Sequence, residues 1–246
     1  IAGGCTHGYD FVEGDAIPLP EEGTDYDFHG THVAGIIASE KNNGVGVVGV
    51  APNVKIMALR FNFNVSTAVQ AIDFARENGA KIINASYSGT ASSTAEIDAI
   101  KRFTDAGGIF ITAAANAGRN NDDVSNTMHQ FPSDYELDGI ISVASTDQND
   151  ELSGFSNFGN KSVDVGAPGS KILSTGLDND YFYLDGTSMS APHAVGVASL
   201  IWGYNPELTS SQVKTIVLGS GKNIRTLENK TVTGKRIDAL GALSVF

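Results

Sequence analysis

A chain of 246 residues with 41% hydrophobic content and 28 glycines is long enough for one sizeable core, and no repeat or linker divides it, so a single domain over 1–246 is expected. Its formal charge of −12 argues against nucleic acid and against an anionic membrane surface as partners, because both call for basic patches. No apolar run reaches the ~18 residues of a membrane span, and Cys5, the only cysteine, leaves no intrachain disulfide.

The first 28 residues read as loop, with a short extended piece near Tyr9 to Val12. Asp15, Asp25 and Asp27 fit no EF-hand spacing and read as acidic surface. Cys5 sits in a Gly-rich start with no helix pattern behind it, a poor setting for a nucleophile. The run His29-Gly-Thr-His32-Val-Ala-Gly-Ile-Ile-Ala38 is small and apolar throughout, as in a helix buried within a domain. A histidine in the first turn of such a helix needs a partner. His29 and His32 also have the i, i+3 spacing of a metal pair, but no third ligand cluster accompanies them.

From there the pattern alternates. Val54 to Leu59 predicts a strand, and Ser66 is expected to cap a helix carrying Val69, Ile72 and Phe74 that stops before Gly79. Lys81 to Ser86 is a second strand, Thr94 to Ala106 a helix, Ile109 to Ala114 a third strand and Ile140 to Ser145 a fourth. A helix from Ser188 to about Tyr204 follows, tolerating Pro192 near its start. Thr209-Ser-Ser-Gln212 is a capping box for a short helix over Val213 to Leu218, before a polar loop and an apolar end. Short apolar strands alternating with amphipathic helices predict an α/β fold, a three-layer α/β/α arrangement around a mostly parallel sheet.

In such sheets ligands gather at the carboxyl ends of the strands. Asn84 to Gly89 lies at the end of one strand and Asn116 at the end of the next, while His29 and Ser188 each open a helix. A serine in a helix's first turn lies beside free N–H groups that favour a developing oxyanion. Gly-Thr-Ser alone is equally an ordinary cap.

Taken together, these stretches resemble the subtilisin-like serine endopeptidases. His29-Gly-Thr-His-Val-Ala-Gly35 is similar to the family's histidine block, Gly186-Thr-Ser-Met-Ser-Ala-Pro-His193 to its serine block, and Ala113-Ala-Ala-Asn116-Ala-Gly118 to the block carrying the oxyanion asparagine. Gly49-Val-Ala-Pro52, Phe155-Ser-Asn-Phe-Gly159 and Ala167-Pro-Gly169 add to the likeness, in family order. The resemblance implies Ser188 as nucleophile, His29 as general base and Asn116 in the oxyanion hole, with no cofactor for catalysis. It implies that Ser86, Tyr87, Ser88 and Gly89 bind an extended protein or peptide substrate, and that Ala113, Ala114 and Ala115 line the pocket for the residue before the cleaved bond. Ser88 and Ala115 stand where the family usually has Gly, which predicts a smaller apolar pocket. Lys41 to Val47 is similar to a family calcium loop, with Asn43 as side-chain ligand of a structural calcium, though an Asn-Asn-Gly turn without metal reads equally well. Family habit implies a secreted monomer.

One block is missing. The family's catalytic Asp ends a strand well before the histidine block, and no such strand is found here; the chain opens on Ile1, which suggests a processed or truncated product, N-terminally incomplete. Loss of that central strand predicts an unpaired, apolar gap in the sheet. The alternative to a peptidase is therefore a catalytically impaired relative acting as a peptide-binding or scaffold protein; retention of His29, Asn116 and Ser188 together favours the peptidase. An esterase of the α/β-hydrolase kind is disfavoured, since no Gly-x-Ser-x-Gly elbow surrounds Ser188.

Overall fold

The computed structural model describes residues 8–19, 28–123, 125 and 128–246, so Cys5, Asp25 and Asp27 lie outside the described residues. In chain order the elements are β1 (Gly8–Asp10), α1 (Phe28–Ala38), β2 (Ala58–Arg60), α2 (Val65–Glu77), β3 (Ile82–Ala85), α3 (Thr94–Asp105), β4 (Ile109–Ala113) and β5 (Ile140–Thr146). There follow β6 (Val165–Pro168), β7 (Ile172–Thr175), β8 (Tyr181–Leu184), α4 (Thr187–Tyr204), α5 (Ser210–Gly219), β9 (Lys222–Asn223), β10 (Lys235–Arg236) and α6 (Ala239–Leu243).

The main sheet runs β3-β4-β5-β6-β10-β9, parallel except for β9. Alternation along β4 sends Ile109, Ile111 and Ala113 to one face, where they pack with Val195, Ala198 and Ile201 of α4 and with Val213 and Val217 of α5. Phe110 points the other way, against Ile72 of α2 and Ile100 and Phe103 of α3. These are the three expected layers. α4 is small or apolar on nearly every side, and it runs through the larger core cluster as a helix with no solvent face of its own.

The paired β1 and β2 form a separate parallel ribbon, Gly8 opposite Ala58 and Asp10 opposite Arg60, pinned by the 2.8 Å ion pair of Arg60 with buried Asp10. Among the described residues β3 pairs only with β4, and β2 only with β1. Ile82, Ile83 and Asn84 are consequently half-exposed, whereas every residue of β4 and β5 is buried.

Two local expectations need correction. The strand expected over Val54 to Leu59 is confined to Ala58–Arg60, because its partner among the described residues, β1, is three residues long. Asn64, not Ser66, caps α2: its Oδ1 accepts the Thr67 N–H at 2.9 Å, so the helix starts one residue before Ser66, whose hydroxyl instead accepts from Gln70. The hairpin β7–β8 and strand β6 emerge from segments rich in Gly, Pro and polar residues, where strand periodicity is faint. The Thr209 and Gln212 capping box forms on α5 as the spacing predicts.

Candidate active site

The rim at the carboxyl ends of β3 and β4 collects the serine, the asparagine and the peptide-like segment. Ser188 is the second residue of α4, so its N–H belongs to the first turn and has no intrahelical acceptor. Pro192, four residues on, has no N–H to give to the Ser188 carbonyl. That carbonyl instead accepts the Ser86 hydroxyl at 2.8 Å, and the Ser188 hydroxyl donates to the Ser86 carbonyl at 3.3 Å. The two serines therefore clasp each other across the end of β3.

Asn116 follows β4 and is exposed. Its Oδ1 accepts both the Thr187 N–H, at 2.8 Å, and the Thr187 hydroxyl, at 2.9 Å. With the oxygen end held by two donors, Nδ2 is the end left free beside Ser188, and among the described residues nothing accepts from it. Thr187 also accepts the Ala115 N–H at 3.2 Å. Sequence reading treats Thr187 as a helix cap, yet its hydroxyl is what decides which way the Asn116 amide points.

His29 lies in the first turn of α1, one turn before Val33. Val33 and Ile36, further along the helix, pack on Met189, the neighbour of Ser188, so α1 lies against the start of α4. Burial, and then the proximity of His32, hold the His29 imidazole below its ordinary pKa of 6.5. Among the described residues no carboxylate hydrogen-bonds His29, and no hydrogen bond joins it to Ser188. His32 is fully buried and donates from Nε2 toward the Ile172 and Phe182 carbonyls, both at 3.1 Å, locking α1 onto the β7–β8 hairpin. His193 donates from Nδ1 to the Met189 carbonyl at 2.8 Å.

The segment after β3 is anchored at two points. Tyr87 donates its hydroxyl to buried Glu96 at 3.0 Å, and Tyr135 donates to the other Glu96 oxygen at 2.8 Å. Burial, then the Glu96 charge, push the Tyr87 phenol well above 10. Gly89 exchanges both backbone bonds with Phe131, each 2.8 Å. The Gly89 N–H and C=O are thus already engaged, while Ser88 beside it is exposed. A correction concerns Ala113, Ala114 and Ala115, which are 2%, 0% and 3% exposed. The first two methyls pack into the core, against β5 and its surroundings, so any wall they form is backbone rather than side chain. Ala115 adopts φ 83°, a left-handed conformation that is strained for a residue with a β-carbon.

In the loop after α1, the Asn43 Oδ1 accepts the Val45 N–H at 3.0 Å, closing a short turn. No group of three His, Cys, Asp or Glu side chains suited to a metal occurs among the described residues.

Residues 7–234 match the profile described as the Subtilase family. The chain belongs to the subtilase family. It is 41% identical over 206 residues to thermitase of Thermoactinomyces vulgaris, covering 82% of this chain and 68% of thermitase. It is 40% identical to the thermophilic serine proteinase of Bacillus sp. (strain AK1), again over 82% of this chain but only 48% of that protein. Among solved structures, a cold adapted subtilisin-like serine proteinase superposes with a TM-score of 0.76 at 31% identity, over 93% of this chain and 81% of its own. Subtilases are serine endopeptidases of the subtilisin type, so membership makes peptide-bond hydrolysis the activity class of this chain.

Proposed function

We propose that Ser188, His29 and Asn116 carry out endopeptidase chemistry on an extended protein or peptide segment lying along Ser86 to Ser88. The observation that supports this most directly is the orientation of Asn116: Thr187 occupies its oxygen, so a free N–H₂ donor stands beside the nucleophile. In the first step His29 takes the Ser188 proton as the hydroxyl oxygen attacks the scissile carbonyl. The oxyanion that forms accepts from Asn116 Nδ2 and from the Ser188 N–H. His29 then protonates the leaving amine, the C–N bond breaks, and an ester on Ser188 remains. Water, activated by the same imidazole, hydrolyses that ester and restores Ser188. Burial keeps His29 neutral near pH 7, the form a general base requires.

Two features bound the proposal. No described carboxylate orients His29; in a subtilisin, removing that carboxylate alone costs about 3 × 10⁴ in kcat. Calcium takes no part in these steps; the family likeness would place a structural ion on Asn43 Oδ1, which accepts the Val45 N–H, and on the carbonyls of Lys41, Val45 and Val47. A secreted, monomeric state is proposed from family membership only; among the described residues no helix is long and apolar enough to cross a membrane.

The test is labelling of this chain by a fluorophosphonate, with Ser188→Ala as control and circular dichroism to verify folding. Labelling abolished by Ser188→Ala is the expected result. A folded chain that takes no label would favour the peptide-binding relative instead.

A further inference from the structure

We propose that Asn157 is a positioning residue for the oxyanion donor, gripping the turn on both sides of Asn116 so that its amide stays in register with Ser188. The inference rests on the role given to Asn116 above. Asn157 is 1% exposed. Its Oδ1 accepts the Ala117 N–H at 2.8 Å and the Arg119 N–H at 3.2 Å, and its own backbone N–H donates to the Ala115 carbonyl at 2.9 Å. The residues immediately before and after Asn116 are thus held by one residue from a distant segment. Adjacent backbone bonds reinforce the grip, from Gly118 N–H to the Phe155 carbonyl at 2.7 Å and from Phe158 N–H to the Arg119 carbonyl at 2.9 Å.

The grip is itself anchored. Asn157 Nδ2 donates to Asn121 Oδ1 at 2.8 Å, and Asn121 donates to the Ala114 carbonyl at 3.2 Å and to Ser133 Oγ at 3.3 Å. Ser133 meets Ser142 of β5 at 2.8 Å, so the chain of bonds ends on the central sheet. Every side-chain polar atom of Asn157 is therefore committed, and the two N–H donors decide which end of its amide is oxygen.

Asn116 is consequently held twice, at its tip by Thr187 and at its base by Asn157. The second hold has a physical purpose. Ala115 carries a β-carbon in a left-handed conformation, and a non-glycine residue there relaxes elsewhere unless its surroundings over-determine it. A preorganised donor acts only where the oxyanion forms, and a misplacement of about 1 Å can cost about 10²-fold in rate.

Asn157→Ala and Asn116→Ala, singly and together, test this through fluorophosphonate acylation rates and through kcat and KM on a peptide substrate. Asn157→Ala is expected to slow acylation by roughly 10- to 10²-fold with KM nearly unchanged. In the Asn116→Ala background the same change is expected to add less than about twofold, since residues acting as a unit are not additive. An equal loss in both backgrounds, or a loss confined to KM, overturns the proposal. Should Asn157→Ala not fold, Asn157→Asp, which keeps the acceptor for Ala117 and Arg119, enters the same cycle with a smaller expected loss. Hydrogen exchange gives a readout independent of activity: the Ala117 and Arg119 amides should exchange faster in Asn157→Ala while β4 and β5 hold. Unchanged exchange overturns the grip even in an active enzyme, and faster exchange in a chain that takes no label supports the grip while removing the catalytic reading.

Discussion

The two halves of the rim are built to different standards. On the serine side, Ser86, Ser188, Asn116 and Thr187 satisfy one another at 2.8 to 3.3 Å, and all stand at the ends of strands or a helix in the main core. On the histidine side, His29 begins a helix that leans on Met189 and the β7–β8 hairpin, and no described carboxylate meets its ring. The serine half rests on α4, the β3–β4 pair and the buried Asn157 that grips the Asn116 turn. The histidine half rests on α1, which packs mainly against α4 and β7 rather than on the strands of the main sheet. A nucleophile and an oxyanion donor can therefore be preassembled while the base remains incompletely oriented, and the chemistry divides along that line.

Replacing the base tests the division most severely. In a subtilisin, loss of the histidine costs about 2 × 10⁶ in kcat, with the oxyanion hole left to act alone. Here His29→Ala is expected to cost much less, by roughly the 10⁴-fold that an unoriented imidazole has already forfeited. Acylation rates measured beside the parent chain decide it, and a full-sized loss would show that His29 is as well oriented as Ser188.

Acid supplies a gentler perturbation. His29, His32 and His193 all have pKa values lowered first by burial, so the unfolded chain binds their protons at a higher pH than the folded one. Stability from these groups is complete above about pH 6.5 and is lost as pH falls from there through the lowered folded values. Acylation should stay level down to below pH 6.5 and then decline about tenfold per unit as His29 charges. Denaturant midpoints and labelling rates over pH 5 to 8 check the two curves; an acylation midpoint above 6.5 would mean that a carboxylate supports the ring after all.

The smallest change falls on the serine side. Ala115→Gly removes left-handed strain of about 1–2 kcal/mol and adds about 0.5–1 kcal/mol of unfolded-state entropy, so a net gain of about 1 kcal/mol or less is expected. A modest rise in melting temperature would show it. A fall would mean that the turn relies on the alanine methyl for packing.

The legible part of the molecule is the part with strong periodicity. β4 and β5 are mostly apolar runs buried on both faces, and α4 is marked by its small and apolar content, so both could be placed without coordinates. The reading of Ser188, Asn116 and Ser86 as neighbours follows from strand ends and a helix start, which topology brings to one rim. What stayed hidden was carried by single polar side chains acting over long sequence distances. Nothing local says that Asn157 grips the Ala117 turn, that Glu96 receives two tyrosine hydroxyls, or that Thr187 turns the Asn116 amide. The Ser66 assignment failed for a related reason: Asn64 and Ser66 are both competent caps, and the choice depends on which side chain reaches Thr67. Burial of Ala113 and Ala114 was hidden too, since a string of alanines is as suited to a core as to a cleft.

The outer flank of β3 also matters for handling the chain in solution. Among the described residues no strand lies beside it, and such an edge is a template on which a neighbouring molecule can lay a strand. What keeps molecules apart is the net charge of −12, whose repulsion reaches only about 8–10 Å at ordinary ionic strength. Concentrated stocks should therefore stay clear in dilute buffer and turn progressively turbid as salt is raised.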